Sequence, residues 1–472
     1  MAARLVSEGK IPYHDFFLPQ GPMLPAFFGA FFLALGRTWL LARILAGVLA
    51  VIIGLLVYLE TLAATRRPKA AVFAAIVFAF AGDTIGWLTI VKGFGLTALW
   101  TLAATSLAGG ATRASTNRRR NLAAAASGVA MGFAVSTRLY VVLAVPMVAL
   151  YLVRELGFSR PGLRRVGLLI LGFGVGVLPL IVSYAIDRKA FLFDTFLFHG
   201  VREYGQSSLF GTLSAKWPTI LKAFGLQRRA PVEGQQILGL TILAAAAWLA
   251  RMISRKPYGS ATAYVWPALV IASLLPNPLH SQYLALLMPF FAIEAGRLLG
   301  TLLDGFSRWK MPVLAVSAIV CALGYTVFHV RLGWMERDRY LRTGTNVPGV
   351  ESTDRVPNWR IATVEAVAKK IDAQGIAEAA SWWPGYFISC KTNLFLPLAN
   401  DFGFRAAAAL SAKERRRYHV RSHDEVSEII QKKALRLFVE GSWAFRPTAD
   451  LLPKNGYKLQ DKLNNVKLWT IQ

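Results

Sequence analysis

Polar and ionisable side chains recur where long apolar stretches of this sequence begin or end. The loop EGKIPYHDFFLPQGP (8–22) is the first such place and PNPLHSQY (276–283) is the last. Ionisable groups at bilayer depth are costly to bury and commonly line a polar cavity. The candidate site residues are His14, Asp15, Gln20, Asp83, Lys92, Arg138, His199, Arg202, Glu203, His280, Gln282 and Tyr283.

The residue types in this set point to chemistry on a phosphate-bearing substrate. Lys92 and Arg138 lie near the same predicted face of the membrane, and a pair of cations there suits a phosphate. Arg can bind two phosphate oxygens at once. Asp15 and Asp83 are carboxylates of the same predicted face, and we treat them as the catalytic candidates. The other members of the set are candidate substrate-binding residues.

Simpler explanations stay open for several of these residues. Asp15 and Asp83 could be turn formers, and Lys92 could extend its ammonium group to the interface. His280 and Tyr283 could anchor the chain at the interface. Arg138 is the hardest to explain in this way, because two apolar stretches flank it without an acidic residue nearby in sequence.

The elements that must position these residues are apolar stretches of near-bilayer length. The chain has 472 residues, 55% of them hydrophobic and 17% charged, which is typical of membrane proteins. The predicted spans are 41–61, 70–88, 90–110, 121–137, 139–156, 165–186, 236–254, 262–277, 282–300 and 312–331. The stretch 22–35 contains prolines and glycines, so we expect an interfacial helix there, although it could also span.

Basic residues lie mainly in every second connector between the predicted spans. Alternate connectors share one side of the membrane, so this bias predicts the orientation of the chain. Five such connectors, at 65–69, 112–120, 154–165, 251–256 and 297–310, carry 17 of the 53 Lys and Arg residues, whereas the short connectors of the other parity carry only Arg138. The positive-inside rule then predicts that these five connectors lie in the cytoplasm. Every candidate site residue would then lie on the non-cytoplasmic side of the membrane. Much of the +27 net charge therefore comes from connectors that set the orientation of the chain in the membrane, so we expect no nucleic-acid partner.

This orientation also has a consequence for the start of the chain. Ten spans place both termini outside, yet residues 1–40 contain no signal peptide that would carry them across. We therefore expect a preceding helix in the natural protein, with eleven spans in all. The alternative is that residues 22–35 span the membrane and place the N-terminus inside.

After about residue 335 the sequence becomes polar and predicts a separate α/β domain. The pattern predicts helices at 357–374, 411–418 and 422–434, the last with a capping box of Ser422 and Glu425, and strands at 376–390, 435–443 and 466–472. Trp382 and Trp383 could line a sugar- or lipid-facing groove or belong to the core. The domain prediction is thus a first outer loop with an interfacial helix (1–40), a transmembrane domain (41–335) with a large outer loop (187–235), and an extracytoplasmic domain (336–472).

Three segments resemble a known family. AARLVSEGKIPYHDFFLPQGPMLPAFFGAFFLALG with the following LLARILAG, GFAVSTRLYVVLAVP (132–146) and LHSQYLALLMPF (279–290) are similar to segments of bacterial GT-C membrane glycosyltransferases of the protein O-mannosyltransferase and aminoarabinose transferase type. The resemblance covers residues 1–331. It implies an all-α polytopic membrane bundle and an outward-facing site that uses polyprenyl-phosphate-linked sugars.

The resemblance also assigns roles and shows departures. It implies a first-loop carboxylate as general base and basic residues that hold the leaving phosphate. In the family the key acidic residue lies upstream of the stretch that begins here at Met1, so Asp15 matches a second aspartate of less certain role. Where many relatives have a further aspartate this chain has Lys92, and Asp83 is a possible substitute.

The sequence therefore predicts a glycosyltransferase of the bacterial inner membrane, with its C-terminal domain on the periplasmic side. The expected partners are a polyprenyl-phosphate sugar donor, membrane lipids, and a lipid, glycan or protein acceptor. An amphiphile transporter or flippase and a non-catalytic protein of envelope assembly are the alternatives. No compact ligand cluster indicates a metal, so we expect no cofactor and leave a divalent ion open. The two cysteines, Cys321 and Cys390, indicate neither a disulfide framework nor a metal site.

Overall fold

A computed structural model describes residues 1–201, 209–227, 232–254, 260–276, 279–309, 320–334, 361–400, 402–441 and 450–471. The chain divides into two compact units. The loop unit comprises Met1–Ile44, Pro179–Gly205 and Asp338–Gln472, and the bundle unit comprises Leu45–Leu178 and Gln206–Arg337. The predicted boundaries near residues 40 and 335 lie close to two of these divisions and stay predictions as domains.

The described chain is mostly helical. Its α-helices are α1 (Ala2–Ser7), α2 (Met23–Leu35), α3 (Trp39–Thr65), α4 (Pro68–Ala79), α5 (Gly93–Arg113), α6 (Asn117–Thr137), α7 (Ala144–Leu156), α8 (Arg160–Gly176), α9 (Leu178–Ile186), α10 (Arg188–Leu192), α11 (Phe198–Val201), α12 (Leu209–Ala223), α13 (Val232–Ser254), α14 (Thr262–Leu274), α15 (Met288–Trp309), α16 (320–334), α17 (Ile361–Asp372), α18 (Gly403–Ala407), α19 (Ala412–Arg417), α20 (His423–Gln431) and α21 (Leu451–Lys454). Single-turn π-helices cover Thr84–Leu88 and Phe193–Leu197, and 3₁₀ turns cover Leu139–Leu143, Ser281–Leu287, Pro384–Phe387 and Leu396–Leu398.

Several helices match the predicted membrane spans. Within the described residues, the helical segments Trp39–Thr65, Gly93–Arg113, Leu139–Leu156, Gly234–Met252 and Ser281–Asp304 are long and apolar enough to cross a membrane, and α8 with α9 would add a sixth as one broken span. The predicted span 70–88 forms a helix of only 12 residues, α4, followed by a turn and a π-helix. The predicted count of about ten spans is not confirmed.

Glycines let helices α6 and α8 of the bundle unit approach to backbone contact. A Cβ atom added at Gly128 would lie 2.0 Å from the carbonyl oxygen of Leu169, and one at Gly176 would lie 2.3 Å from that of Val129. The contact runs in parallel, since residue numbers rise together along both helices. Small residues are the usual means of such close approach between membrane helices.

The loop unit contains a small apolar core that joins three distant stretches of sequence. Phe17 of the first loop, Phe193 and Phe198 of the 187–201 stretch, and Ala406 and Val420 of the C-terminal region pack together. The first loop and the C-terminal residues therefore belong to one packed body.

The C-terminal region contains the predicted mixed α/β structure. Its described residues form strands β1 (Glu378–Ser381), β2 (Asn393–Leu394), β3 (Leu437–Glu440), β4 (Lys458–Leu463) and β5 (Val466–Thr470), in the order β2-β1-β3-β5-β4. β1 pairs in parallel with β2 and β3, whereas β5 pairs antiparallel with β3 and β4. The capping box of Ser422 and Glu425 on α20 is confirmed.

Two details of this region differ from the sequence prediction. The predicted strand 376–390 ends at Ser381, because Pro384 lacks a backbone N–H and begins a 3₁₀ turn. Strand β4 lies between the predicted strands 435–443 and 466–472, where the sequence did not predict a strand. Trp382 and Trp383 are both buried, Trp382 in the core beside Phe438, so their assignment to the core is confirmed.

Candidate active site

Arg138 lies at the end of α6, where the bundle unit presents a cluster of aromatic rings. Its guanidinium carbon lies 3.8 Å from the ring centroid of Phe94, 6.0 Å from that of Tyr140 and 5.9 Å from that of Tyr283. We call these four residues the arginine–aromatic cluster. Aromatic faces stabilise a cation without neutralising its charge. Within the described residues, Arg138 forms no ion pair with a carboxylate, and its Nε atom is buried without a hydrogen-bond partner.

Local backbone structure explains why the arginine lies there. Helix α6 ends at Thr137, and Arg138 itself is extended, with φ −145° and ψ 110°, before the 3₁₀ turn that contains Tyr140. Gly93 opens α5 opposite the arginine, and a Cβ atom added at Gly93 would lie 2.9 Å from Arg138 Nε. The absence of a side chain at Gly93 therefore makes room for Arg138.

Lys92 and Asp83 lie in the irregular connection between α4 and α5. The Lys92 ammonium group is 4.6 Å from the ring centroid of Trp87, whose ring is in turn 6.2 Å from that of Phe94. Lys92 is thus linked to the arginine–aromatic cluster through two rings. Asp83 is buried at the start of the π-helix and does not cap it with its side chain.

A buried glutamine holds the turn that precedes Asp83. The Oε1 atom of Gln236 accepts a hydrogen bond of 2.7 Å from the backbone N–H of Gly82. Its Nε2 atom donates to the carbonyl oxygens of Phe80, at 3.1 Å, and His329, at 3.0 Å. All the principal hydrogen-bonding capacity of this amide is used by backbone groups. Gln236 therefore fixes the path of the chain immediately before Asp83.

The predicted outer turn before α15 contributes to the same cluster. Tyr283 lies on the 3₁₀ turn Ser281–Leu287, and its ring centroid is 5.9 Å from that of Phe94 and 6.1 Å from that of Tyr140. The exposed His280 ring lies 5.8 Å from that of Tyr283. Gln282 is partly buried on this turn.

In the loop unit, Asp15 is held by its own loop. One carboxylate oxygen accepts a 2.7 Å hydrogen bond from the backbone N–H of Ile11, and the other lies 2.9 Å from Nδ1 of His14. Partial burial alone would raise the pKa of Asp15, but the bond from Ile11 and the contact with His14 hold it below the ordinary aspartate value. Asp15 is therefore ionised at neutral pH.

A second loop carboxylate, Asp194, escaped the sequence analysis. It is fully buried, and its Oδ2 atom accepts a 2.8 Å hydrogen bond from the backbone N–H of Leu18 in the first loop. Its Oδ1 atom has no hydrogen-bond partner among the described residues. Burial raises the pKa of Asp194 well above its ordinary value, the Leu18 bond lowers it, and the neighbouring charge of Asp187 raises it further.

Residues 417–419 of the C-terminal region contact both the 187–201 stretch and the first loop within the same unit. The Tyr418 ring stacks on that of Phe193 with centroids 4.1 Å apart, and Arg417 forms an ion pair of 2.6 Å with Asp187. Burial lowers the pKa of His419, and a hydrogen bond with the backbone of His14 partly offsets this effect. The contact of His419 thus connects the sheet-containing region to the segment that carries His14 and Asp15.

The remaining predicted residues are less closely tied to either group. Gln20 contributes its backbone carbonyl oxygen, which accepts a 2.6 Å hydrogen bond from the Tyr13 hydroxyl group. His199 lies on α11 with its ring next to that of Phe198. Arg202 and Glu203 lie outside the described residues. In the described part of the chain, no group of three or more metal-binding side chains could hold a metal ion.

The structure thus gathers the predicted residues into two groups, each within one unit. Arg138, Tyr283 and, through aromatic rings, Lys92 and His280 form one group; His14 and Asp15 form the other. Several residues that shape or hold these groups were not among the candidates from the sequence, namely Gly93, Phe94, Tyr140, Asp194, Gln236, Tyr418 and His419. Only the GxG pattern of Gly93 and Gly95 beside Lys92 was a visible signal of close approach.

Comparison with solved structures identifies the fold. No protein-family model and no curated protein matches the sequence. ArnT from Cupriavidus metallidurans, in a crystal structure with bound undecaprenyl phosphate, matches over 99% of this chain and 91% of its own, with a TM-score of 0.59 and 14% identity. The chain has the fold of ArnT.

Further structures agree with this identification. Apo ArnT from Cupriavidus metallidurans gives the same TM-score of 0.59, with 15% identity over 99% of this chain and 91% of its own. The apo oligosaccharyltransferase from Archaeoglobus fulgidus matches 93% of this chain and 65% of its own, with a TM-score of 0.51 and 15% identity. ArnT is an aminoarabinose transferase, and both proteins are GT-C glycosyltransferases, so the predicted resemblance is confirmed for the fold.

Proposed function

We propose that this protein is an integral membrane glycosyltransferase of the GT-C type. It moves a sugar from a polyprenyl-phosphate-linked donor to a lipid, glycan or protein acceptor. The observation that carries this proposal is the arginine–aromatic cluster, in which Arg138 keeps its charge unpaired by any described carboxylate. The bound undecaprenyl phosphate of a protein with the same fold supports the choice of donor lipid.

Arg138 performs the electrostatic part of the reaction. When the bond between the sugar and the phosphate breaks, negative charge develops on the departing polyprenyl phosphate. A guanidinium group can donate two parallel hydrogen bonds to its oxygens and stabilise that charge. The faces of Phe94, Tyr140 and Tyr283 limit the positions available to the guanidinium group. Lys92, beside Trp87, supplies a second cation for the lipid phosphate.

The two predicted carboxylates take different roles in this proposal. A general base works best when its pKa lies near the working pH, whereas the pKa of Asp15 is held low by Ile11 and His14. Asp15 therefore serves to hold the conformation of the first loop. Asp83, buried and fixed through Gln236, is the catalytic carboxylate that we propose for the described residues. It removes the proton from the acceptor hydroxyl group during attack on the anomeric carbon.

The location follows from the same reasoning. Polyprenyl-phosphate sugars are embedded in a membrane, and the apolar helices of the bundle unit fit a multi-pass membrane protein. We propose the bacterial inner membrane, with the candidate site and C-terminal region on the periplasmic side.

A transfer assay tests the proposal. The full chain, reconstituted in vesicles, is given a panel of radiolabelled polyprenyl-phosphate sugars together with envelope lipid, glycan and protein acceptors. Arg138→Ala should lower transfer by at least about a hundredfold, as expected for loss of a group that stabilises transition-state charge. The matched control is Arg154→Gln, at the exposed far end of α7.

The same assay separates the alternatives. Transfer by wild type and control, with loss in the Arg138 variant, supports the proposed function. Full transfer by Arg138→Ala would contradict the role of the arginine. Movement of intact donor across the vesicle membrane without cleavage of the sugar–phosphate bond would instead favour a flippase.

A further inference from the structure

Six arginines lie at the adjoining N-termini of α6 and α8, at the opposite end of α6 from Arg138. They are Arg118, Arg119, Arg120, Arg160, Arg164 and Arg165. Residues 112–123 and 157–172 contain no aspartate or glutamate. Within the described residues, none of the six forms an ion pair with an acidic side chain. No ion pair of the described chain therefore neutralises these six charges, and the acidic residue of this connector, Glu155, lies before the loop.

The close packing of α6 and α8 forces these charges together. Because the helices run in parallel with their backbones in contact at Gly128, Gly172 and Gly176, their N-termini lie side by side. The contact of Arg165 with Asn117 shows this directly, since Arg165 Nη2 donates a 3.0 Å hydrogen bond to Asn117 Oδ1. Cations at a helix N-terminus oppose the helix dipole, which favours anions there.

One of the six arginines is buried within this arrangement. Arg165 is 3% exposed, and its Nε atom has no hydrogen-bond partner among the described residues. A buried guanidinium group normally has its donors satisfied, so the free Nε donor is an unused hydrogen-bonding site. The side chains of Arg118, Arg119, Arg160 and Arg164 are exposed around it.

Apolar side chains at the edge of the arginines indicate which anion belongs there. Phe158 is 82% exposed in the loop before α8, and Leu122 and Leu163 are 69% and 50% exposed on the two helices. A free anion such as inorganic phosphate would contact only the arginines, and its binding would not account for the neighbouring exposed apolar side chains. A lipid offers a phosphate to the arginines and acyl chains to Phe158 and the leucines.

We propose that the N-termini of α6 and α8 form a binding site for the phosphodiester headgroup of an anionic phospholipid. The guanidinium groups of Arg165 and its exposed neighbours bind the phosphate oxygens, and Phe158 inserts into the acyl region. The site lies on the connectors that the positive-inside rule assigns to the cytoplasmic leaflet. It is separate from the donor site and does not depend on the proposed transferase function.

Native mass spectrometry of the full chain in detergent, titrated with phosphatidylglycerol or phosphatidylcholine, tests the proposal. The wild type should bind phosphatidylglycerol more tightly, on the order of tenfold, than phosphatidylcholine. The exposed double variant Arg119→Gln/Arg164→Gln and the buried variant Arg165→Gln should each lose this preference. The matched control is Arg66→Gln/Lys69→Gln, which removes two exposed charges from another connector of the same predicted side.

Three results would overturn the proposal. The first is an unchanged preference for phosphatidylglycerol in the exposed double variant, which removes no buried group and so tests the site even if Arg165→Gln does not fold. The second is an equal loss in the control variant, which would mean diffuse surface charge. The third is displacement of phosphatidylglycerol by millimolar inorganic phosphate, which would identify a site for free phosphate.

Discussion

At the scale of single residues, the candidate site depends on a glycine as much as on a charge. Gly93 lets Arg138 lie against the ring of Phe94, because a Cβ atom there would approach Arg138 Nε to 2.9 Å. The types of Arg138 and Lys92 were readable from the sequence as cations next to apolar stretches. Tyr283 was also a candidate, but its contact with Arg138 and the parts played by Phe94 and Tyr140 were not readable, since the rings come from three segments that only folding brings together.

Substitution of Gly93 tests whether the position of the guanidinium group matters. Gly93→Ala should displace Arg138 and lower the affinity for undecaprenyl phosphate by about tenfold, in line with the loss of one good charge-assisted hydrogen bond. Gly110→Ala is the control in the same helix, because its Cβ atom would meet Ala123 at an ordinary 3.6 Å. Titration of both variants with undecaprenyl phosphate measures the effect. Equal affinities would show that the arginine tolerates displacement.

Asp194 predicts a pH dependence of stability. Its folded-state pKa is raised, so the folded state binds a proton more tightly than the unfolded state, and stability falls as pH rises above the ordinary aspartate value of about 4. Asp194→Asn keeps an amide oxygen that can accept the bond from Leu18 but cannot ionise. The unfolding temperature of this variant should therefore vary less than that of wild type between about pH 5 and 8. Parallel curves for the two proteins would contradict this account of Asp194.

At the scale of elements, the apolar stretches predicted most helices but not where they are interrupted. The stretch 70–88 is apolar throughout most of its length, yet α4 stops at Ala79 and the chain turns through Gly82 and Asp83. The cause is a tertiary contact, because Gln236 binds the backbone of Phe80 and Gly82. A glutamine in an apolar helix gave no indication of which backbone groups it would bind.

The parallel contact of α6 and α8 also gives a prediction. Gly176→Ala should destabilise the bundle unit by on the order of 1–3 kcal/mol, because its Cβ atom would lie 2.3 Å from the carbonyl oxygen of Val129. Gly174→Ala, in the same helix, meets no atom within 4 Å and should leave stability unchanged or slightly higher. Thermal unfolding in one detergent compares the two. Similar losses in both variants would contradict this account, because helix propensity favours alanine over glycine and only Gly176 lies in close contact.

At the scale of the whole molecule, composition predicted a membrane protein and a polar C-terminal region, and the fold of ArnT is confirmed. The sequence could not show that the loop unit combines residues 1–44 with the C-terminal region. That association depends on contacts such as the stacked rings of Trp39 and Trp383, more than 300 positions apart in the sequence, and no local pattern specifies such a pair.

The predicted orientation can be tested with introduced cysteines. In a chain whose Cys321 and Cys390 are replaced by serine, Ser115→Cys should react with a membrane-impermeant maleimide only from the cytoplasmic side. Lys413→Cys should react only from the other side. Both positions are exposed, so access to the reagent is limited by the membrane alone. Reaction of residue 115 from the periplasmic side would reverse the assigned orientation.

The central claim is that Arg138 binds the phosphate of a polyprenyl lipid, and equilibrium binding of undecaprenyl phosphate to the purified full chain tests it most directly. Wild type and the control Arg154→Gln should bind with equal affinity. Arg138→Gln should bind at least about tenfold more weakly, because a buried charge-assisted hydrogen bond is lost. Equal binding by Arg138→Gln and wild type would contradict the claim.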